Sequence, residues 1–178
     1  MNTEKNSQFY VLNILNIIGF NGPIILLIIS VILLYSYKMY TLLIIYIIGF
    51  LLNSVLNFIL KGIFRHPRPL DDRKVFLITP INENRIGFDK YGMPSGHAQH
   101  MLYSTIFIFF ALKNVLITTI FIILSILTIC QRVINKSHFI YQVIMGSLIG
   151  ALMGYGTFSF AQTNLKGPLK MKHYDNVF

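Results

Sequence analysis

The chain has 178 residues, 54% of them hydrophobic and 12% charged, with a mean hydropathy of +0.64. Soluble domains carry roughly twice that charged fraction and a solvated coil does not carry 15 Phe and 10 Tyr, so a water-soluble globule and a disordered chain are both excluded. The net charge of +9 is confined to breaks between apolar runs, which points to lipid phosphates rather than nucleic acid as the anionic partner.

From the N-terminus, residues 9–18 are apolar but interrupted by Asn13 and Asn16. They read as an interfacial helix, with the start of a long first span as the alternative. The basic flank and small-residue cleavage site of a removable signal are missing there. Residues 24–37 reach spanning length if the helix begins near Phe20, which puts Pro23 in its first turn. Residues 40–60 form a second span, about 31 Å long as a helix and matched to the hydrocarbon core. Residues 61–92 differ in kind: they hold 7 of the 15 basic and 4 of the 6 acidic side chains, with Pro67, Pro69 and Pro80. Such a polar loop is too long for a passive link and is a candidate functional segment. Residues 95–112 make a further span, polar at its start and apolar from Met101 onward, and residues 114–134 and 139–161 complete the set. Gly146, Gly150 and Gly154 form one small stripe on the last span, suited to close helix packing. Cys130 is the single cysteine, so neither a disulfide framework nor a cysteine metal cage is expected. The expected fold is an all-α polytopic membrane helical bundle of five or six transmembrane helices with a polar active-site loop. It forms a single domain over 1–178 with its catalytic core at about 40–160.

The unusual polar residues fall in three groups at span ends. Lys61, Arg65, His66 and Arg68 follow the second span; Pro94, Ser95, Gly96, His97, Gln99 and His100 open the next; Arg132 to His138 join the last two. Consecutive spans alternate direction, so all three groups meet on one membrane face. Lys61, Arg68 and Arg132 supply positive charge and many donors, which suits a phosphoryl group. The start of a helix at Ser95 and Gly96 adds backbone N–H groups and the positive end of its dipole. His97 and His138 can divide the acid and nucleophile roles of a two-step phosphoryl transfer. A cation near the bilayer costs roughly 2.5–3.5 kcal/mol on insertion scales, so three together call for an anionic partner. Each group also has a plainer reading: basic residues snorkel to headgroups and Pro-Ser-Gly caps helices. His97 and His100 lack a third ligand at suitable spacing, so no metal site is expected.

Lys61 with Arg68-Pro69, then Pro94-Ser95-Gly96-His97, then Arg132 with His138 resemble the three signature motifs of the type 2 phosphatidate phosphatase and vanadium haloperoxidase superfamily. The resemblance implies a phosphate cradle of Lys61, Arg68, Ser95, Gly96 and Arg132. It implies His138 as the nucleophile that becomes a phosphohistidine and His97 as the acid for the leaving group, with neither metal nor cofactor. The family's usual Asp, four residues after the nucleophile, is Gln142 here, and no Asp or Glu lies between Lys90 and Lys172. Asp71, Asp72, Glu83 and Asp89 of the polar loop are the next candidates for a partner to His138. Gln142, Gln99 and the Tyr91-Gly-Met-Pro-Ser stretch resemble the dolichyl diphosphate phosphatase branch.

The resemblance implies a multi-pass enzyme, a metal-independent lipid phosphatase that removes the terminal phosphate of a polyprenyl diphosphate. Two alternatives stay open: a phosphatidate or other lipid phosphate phosphatase, and a lipid-phosphate-binding membrane protein with weak catalysis. Lys38, Lys113, Lys166, Lys170 and Lys172 lie opposite the active site in short segments. By the positive-inside rule the active site then faces the lumen, such as that of the endoplasmic reticulum, or the exterior.

Overall fold

The computed structural model describes residues 2–69 and 87–164, with side chains from Asn16 onward. Five α-helices follow in order: α1 Asn2–Ser36, α2 Tyr40–Phe64, α3 Gly96–Leu112, α4 Val115–Ile134 and α5 Ile140–Asn164. A 3-10 turn, Gly87–Lys90, precedes α3. Among the described residues there is no strand, and the protein is an all-α, polytopic membrane bundle. Asn16–Ser36, α2, α4 and α5 are each long and apolar enough to cross a membrane. The fifth helix, α3, has 17 residues, about 25 Å at 1.5 Å per residue, and packs against all four others. Asp71, Asp72, Glu83, Pro80, Lys166, Lys170 and Lys172 lie outside the described residues.

Two expectations need correction. Residues 9–18 are not a separate interfacial helix but part of the continuous α1. Asn16, which looked like an interruption, accepts a hydrogen bond from Asn135 Nδ2 at 2.8 Å, so the polar position is an interhelical contact. Pro23 consequently falls in the helix interior rather than its first turn. The missing N–H and the ring's crowding of the Gly19 carbonyl then act in mid-span, where a proline kinks a helix.

The bundle is apolar outside and partly polar within, because lipid offers helices no hydrophobic reason to associate. Ile44, Ile48, Leu51 and Leu52 face outward. Inside, Tyr46 Oη meets Ser104 Oγ at 2.8 Å, Thr105 meets Ser125 at 2.9 Å, and Tyr103 donates to the Tyr46 carbonyl at 2.9 Å. The glycine stripe of α5 lies directly on the backbone of α3. A Cβ at Gly146, Gly150 or Gly154 would collide with the carbonyl oxygen of Ser95, Gln99 or Tyr103 in turn. This close seating places the start of α3 against the start of α5, where the polar residues are.

Candidate active site

Lys61 occupies the last turn of α2, and Arg65, with φ of 48°, ends that helix and turns the chain toward Arg68. Arg132 lies on the last turn of α4, and His138 in the turn before α5. Lys61, Arg132 and His138 are each at most 4% exposed. Together with Arg68, Gly96 and His97 they line one cavity of about 570 Å³. Ser95 and Gln142 are fully buried beside these residues in the chain. The three groups at the span ends therefore meet, as alternation of the spans requires.

Segment 91–95 is pinned from both sides. Gly92 N–H donates to the His66 carbonyl at 2.8 Å, and Ser95 N–H to the Gln142 carbonyl at 3.0 Å. Ser95 is the residue before the first turn of α3, but its side chain does not cap the helix; its hydroxyl is buried without a hydrogen-bond partner. The N–H groups at the start of this 17-residue helix are thus not taken by a cap, which leaves a site suited to an anion.

His138 is held in one tautomer. Its Nδ1–H faces two acceptors, the Gly92 carbonyl at 2.9 Å and Gln142 Oε1 at 3.2 Å. The Gln142 amide can point only one way: Oε1 accepts from Phe139 N–H at 3.2 Å, while Nε2 donates to the Pro67 carbonyl at 2.8 Å. Gly92 must be glycine for this arrangement, since a Cβ there would sit 2.5 Å from Gln142 Oε1. The lone pair of His138 is consequently on Nε2, where Arg68 Nη1 donates at 3.0 Å. Burial holds the His138 pKa well below the usual histidine value, with the cations Arg68, Arg132 and Lys61 adding to the effect. A pKa held that low favours the neutral ring near pH 7, the form in which Nε2 keeps its lone pair.

An anion of the chain itself stands in the cradle. The Asp89 carboxylate pairs with Lys61 and, at 3.5 Å, with Arg68 Nη2, which also donates to the Asp89 carbonyl at 2.9 Å. Asp89, one of the reserve partners proposed for His138, thus engages the cations instead. The two cationic side chains are nearly buried (5% and 7% exposed) whereas that of Asp89 is 52% exposed, so the carboxylate enters from the open side.

Four contributors escaped the sequence: Asn53, Asn57 and the backbone carbonyls of Gly92 and Phe20. Asn57 Nδ2 donates to Gln99 Oε1 at 2.7 Å and to the Pro94 carbonyl at 3.3 Å, and Gln99 Nε2 donates to Asn53 Oδ1 at 2.7 Å. This buried amide chain ties the Pro94 turn to α2. Its signal was Asn53 and Asn57, four apart in an otherwise apolar span. The carbonyls of Gly92 and Phe20, the latter 3.0 Å from His97 Nε2, had no signal at all, because backbone atoms carry no residue identity. His100 also lines the cavity, held by the Gly96 carbonyl and Ser54 Oγ, each at 2.7 Å.

The sequence profile of the PAP2 superfamily matches residues 42–166. A dolichyldiphosphatase of Saccharomyces cerevisiae is 34% identical over 116 residues, which cover 60% of this chain and 46% of that protein. The chain thus spans about half the length of the curated relative it matches. No solved structure matches.

Proposed function

This chain belongs to the PAP2 superfamily, and from that premise we propose that it is a membrane phosphatase removing the terminal phosphate of a polyprenyl diphosphate by way of a phosphohistidine. The observation that carries the reading is His138, with Nδ1 bonded to Gly92 and Gln142 and Nε2 directed at Arg68 in a cavity shared with Lys61 and Arg132. Lys61, Arg68 and Arg132, the Ser95 hydroxyl and the N–H groups from Gly96 hold the phosphate oxygens and offset their charge as the transition state forms. His138 Nε2 bonds to phosphorus as the bond to the leaving oxygen breaks, and that oxygen takes its proton from His97. Water then bonds to phosphorus as the P–N bond breaks, giving its proton to His97 and returning the electron pair to His138. The cationic cradle supplies the stabilisation a metal would give elsewhere, so the reaction proceeds without one.

The diphosphate assignment draws on the name of the yeast relative and on Gln142. A polyprenyl monophosphate is a good leaving group that asks less of the nucleophile's partner than an alkoxide does, so an amide in place of a carboxylate is tolerable. A second reading has its own support: among the described residues no carboxylate bonds to His138, and Asp89 fills the cradle, as in a lipid-phosphate binder with little turnover. Lys38 and Lys113 lie at the opposite end of the bundle, which favours an active site on the lumenal or exterior face.

The test is phosphate release by the purified full chain from a polyprenyl diphosphate, phosphatidate and a soluble alkyl phosphate. The expected order places the diphosphate first. A preference for phosphatidate would replace the substrate class, and tight phosphate binding without turnover would establish the binder.

A further inference from the structure

The acid role of His97 depends on which ring nitrogen meets the leaving group, and a helix outside the family match decides it. The match begins at residue 42, whereas α1 ends at Ser36. Even so, α1 lines the cavity with Phe20, Pro23 and Ile24. The Phe20 carbonyl lies 3.0 Å from His97 Nε2. A carbonyl can only accept, so Nε2 carries a hydrogen, and among the described residues no hydrogen bond is made to Nδ1.

Two features of the α1 sequence bear on this contact. Pro23 loosens the helix on the turn that carries Phe20, because it has no N–H for the Gly19 carbonyl and its ring crowds that oxygen. Gly19 and Gly22 then let α1 seat closely on α4. A Cβ at Gly19 would come within 2.5 Å of the Gln131 side chain, and one at Gly22 would collide with Thr128 Oγ1. The Asn16–Asn135 bond fixes the height of α1 against the end of α4, and the Phe20 ring lies tilted beside the imidazole with centroids 6.0 Å apart.

We infer that α1 is a positioning element of the active site: the Phe20 carbonyl takes the Nε2–H of His97 and thereby commits Nδ1 to proton transfer. The inference rests on the acid role proposed for His97. While Nδ1 is protonated the ring is a cation, and the bond to the carbonyl is charge-assisted. As the P–O bond breaks, the leaving oxygen keeps the electron pair and takes the Nδ1 proton. The ring is left as the neutral Nε2–H tautomer that the carbonyl already holds. In the second step the same Nδ1 accepts the proton of the attacking water, so the ring need not turn over between steps.

The test compares an alkyl phosphate, whose leaving group needs a proton, with a diphosphate, whose leaving group needs it less. His97→Ala sets the scale; general acid catalysis is worth about 10²–10⁴-fold. Pro23→Ala restores an N–H and rebuilds the helix around the carbonyl. It is expected to lower kcat on the alkyl phosphate about tenfold, a fraction of that full effect, with KM nearly unchanged and a smaller loss on the diphosphate. Gly22→Ala, which pushes α1 away from Thr128, should give the same signature. Adding Thr128→Ala should restore activity, since the closest approaches are then 3.2 Å, to Met101 Sδ and the Cβ of residue 128. Substrate-dependent loss in His97→Ala but equal losses, or none, on both substrates in Pro23→Ala and Gly22→Ala would overturn the role of α1 alone. No substrate dependence in His97→Ala would overturn the acid reading, and this inference with it.

Discussion

Among the described residues the Nδ1–H of His138 has two acceptors, and neither is a carboxylate. Removing Gln142 leaves the Gly92 carbonyl in place, so Gln142→Ala costs the His138 ring one of its two neutral hydrogen bonds, about 0.5–1.5 kcal/mol, while the Phe139 N–H and the Pro67 carbonyl lose their bonds to the amide as well. The expected result is a loss in kcat of about 2- to 12-fold with KM little changed, read by steady-state kinetics. Gln142→Glu sets a negative charge beside the imidazole. His138 must be neutral to attack, so activity falls as pH drops through its pKa, which burial and the three cations hold well below the usual value. A carboxylate opposes that depression, and the acid limb of the pH–rate profile should move to higher pH. Asp89 pairs with Lys61 and Arg68, the cations proposed to hold the phosphate. Asp89→Asn should therefore tighten inhibition by orthophosphate and vanadate about two- to fivefold, the range of a partly exposed ion pair. Weaker inhibition would mean that the carboxylate organises the cradle instead of occupying it.

At the level of elements, the contact between α3 and α5 carries the site. The Ser95 N–H to Gln142 carbonyl bond joins the starts of these helices, and the glycine stripe holds them at backbone contact. A Cβ at Gly150 meets the Gln99 carbonyl, which belongs to a helix backbone and cannot turn aside. Gly150→Ala should destabilise the detergent-solubilised protein by about 1–3 kcal/mol, as overpacking does, and reduce kcat. A Cβ at Gly156 meets nothing within 4 Å, so Gly156→Ala on the same helix should leave the kinetics unchanged and raise the thermal midpoint slightly through helix propensity. Comparison of the two midpoints separates close approach from helix propensity, since glycine to alanine favours the helix at both positions.

For the whole molecule, the cations of the cradle gather at one end of the bundle, and Lys38 and Lys113 mark the turns at the other. Cysteine placed at Lys113 should react with an impermeant thiol reagent from the cytoplasmic side of sealed membranes only. Labelling from the outside alone would reverse the orientation. In the proposed mechanism side chains and backbone N–H groups supply the electrostatic stabilisation, so a chelator should leave phosphate release intact and vanadate should abolish it. Activity lost to chelator and restored by magnesium would require a different mechanism.

The sequence by itself determined the helices and the face on which the polar groups meet. Lipid satisfies no backbone hydrogen bond, so each apolar run must be a helix of roughly membrane length, and alternation of direction then brings Lys61, His97 and His138 to one end. Even the packing of α5 was legible, because glycine at four-residue spacing has few other uses. The tertiary structure alone decided which atoms touch. Continuity of α1 placed Pro23 in mid-helix, although Asn13 and Asn16 had suggested a break. Asp89 joined the cations and not His138, because the turn Gly87–Lys90 delivers it from the open side of the cavity. The partners of both histidines include carbonyl oxygens, of Gly92 and Phe20. A carbonyl is present in every residue, so only the path of the backbone through space selects the two that hold these rings.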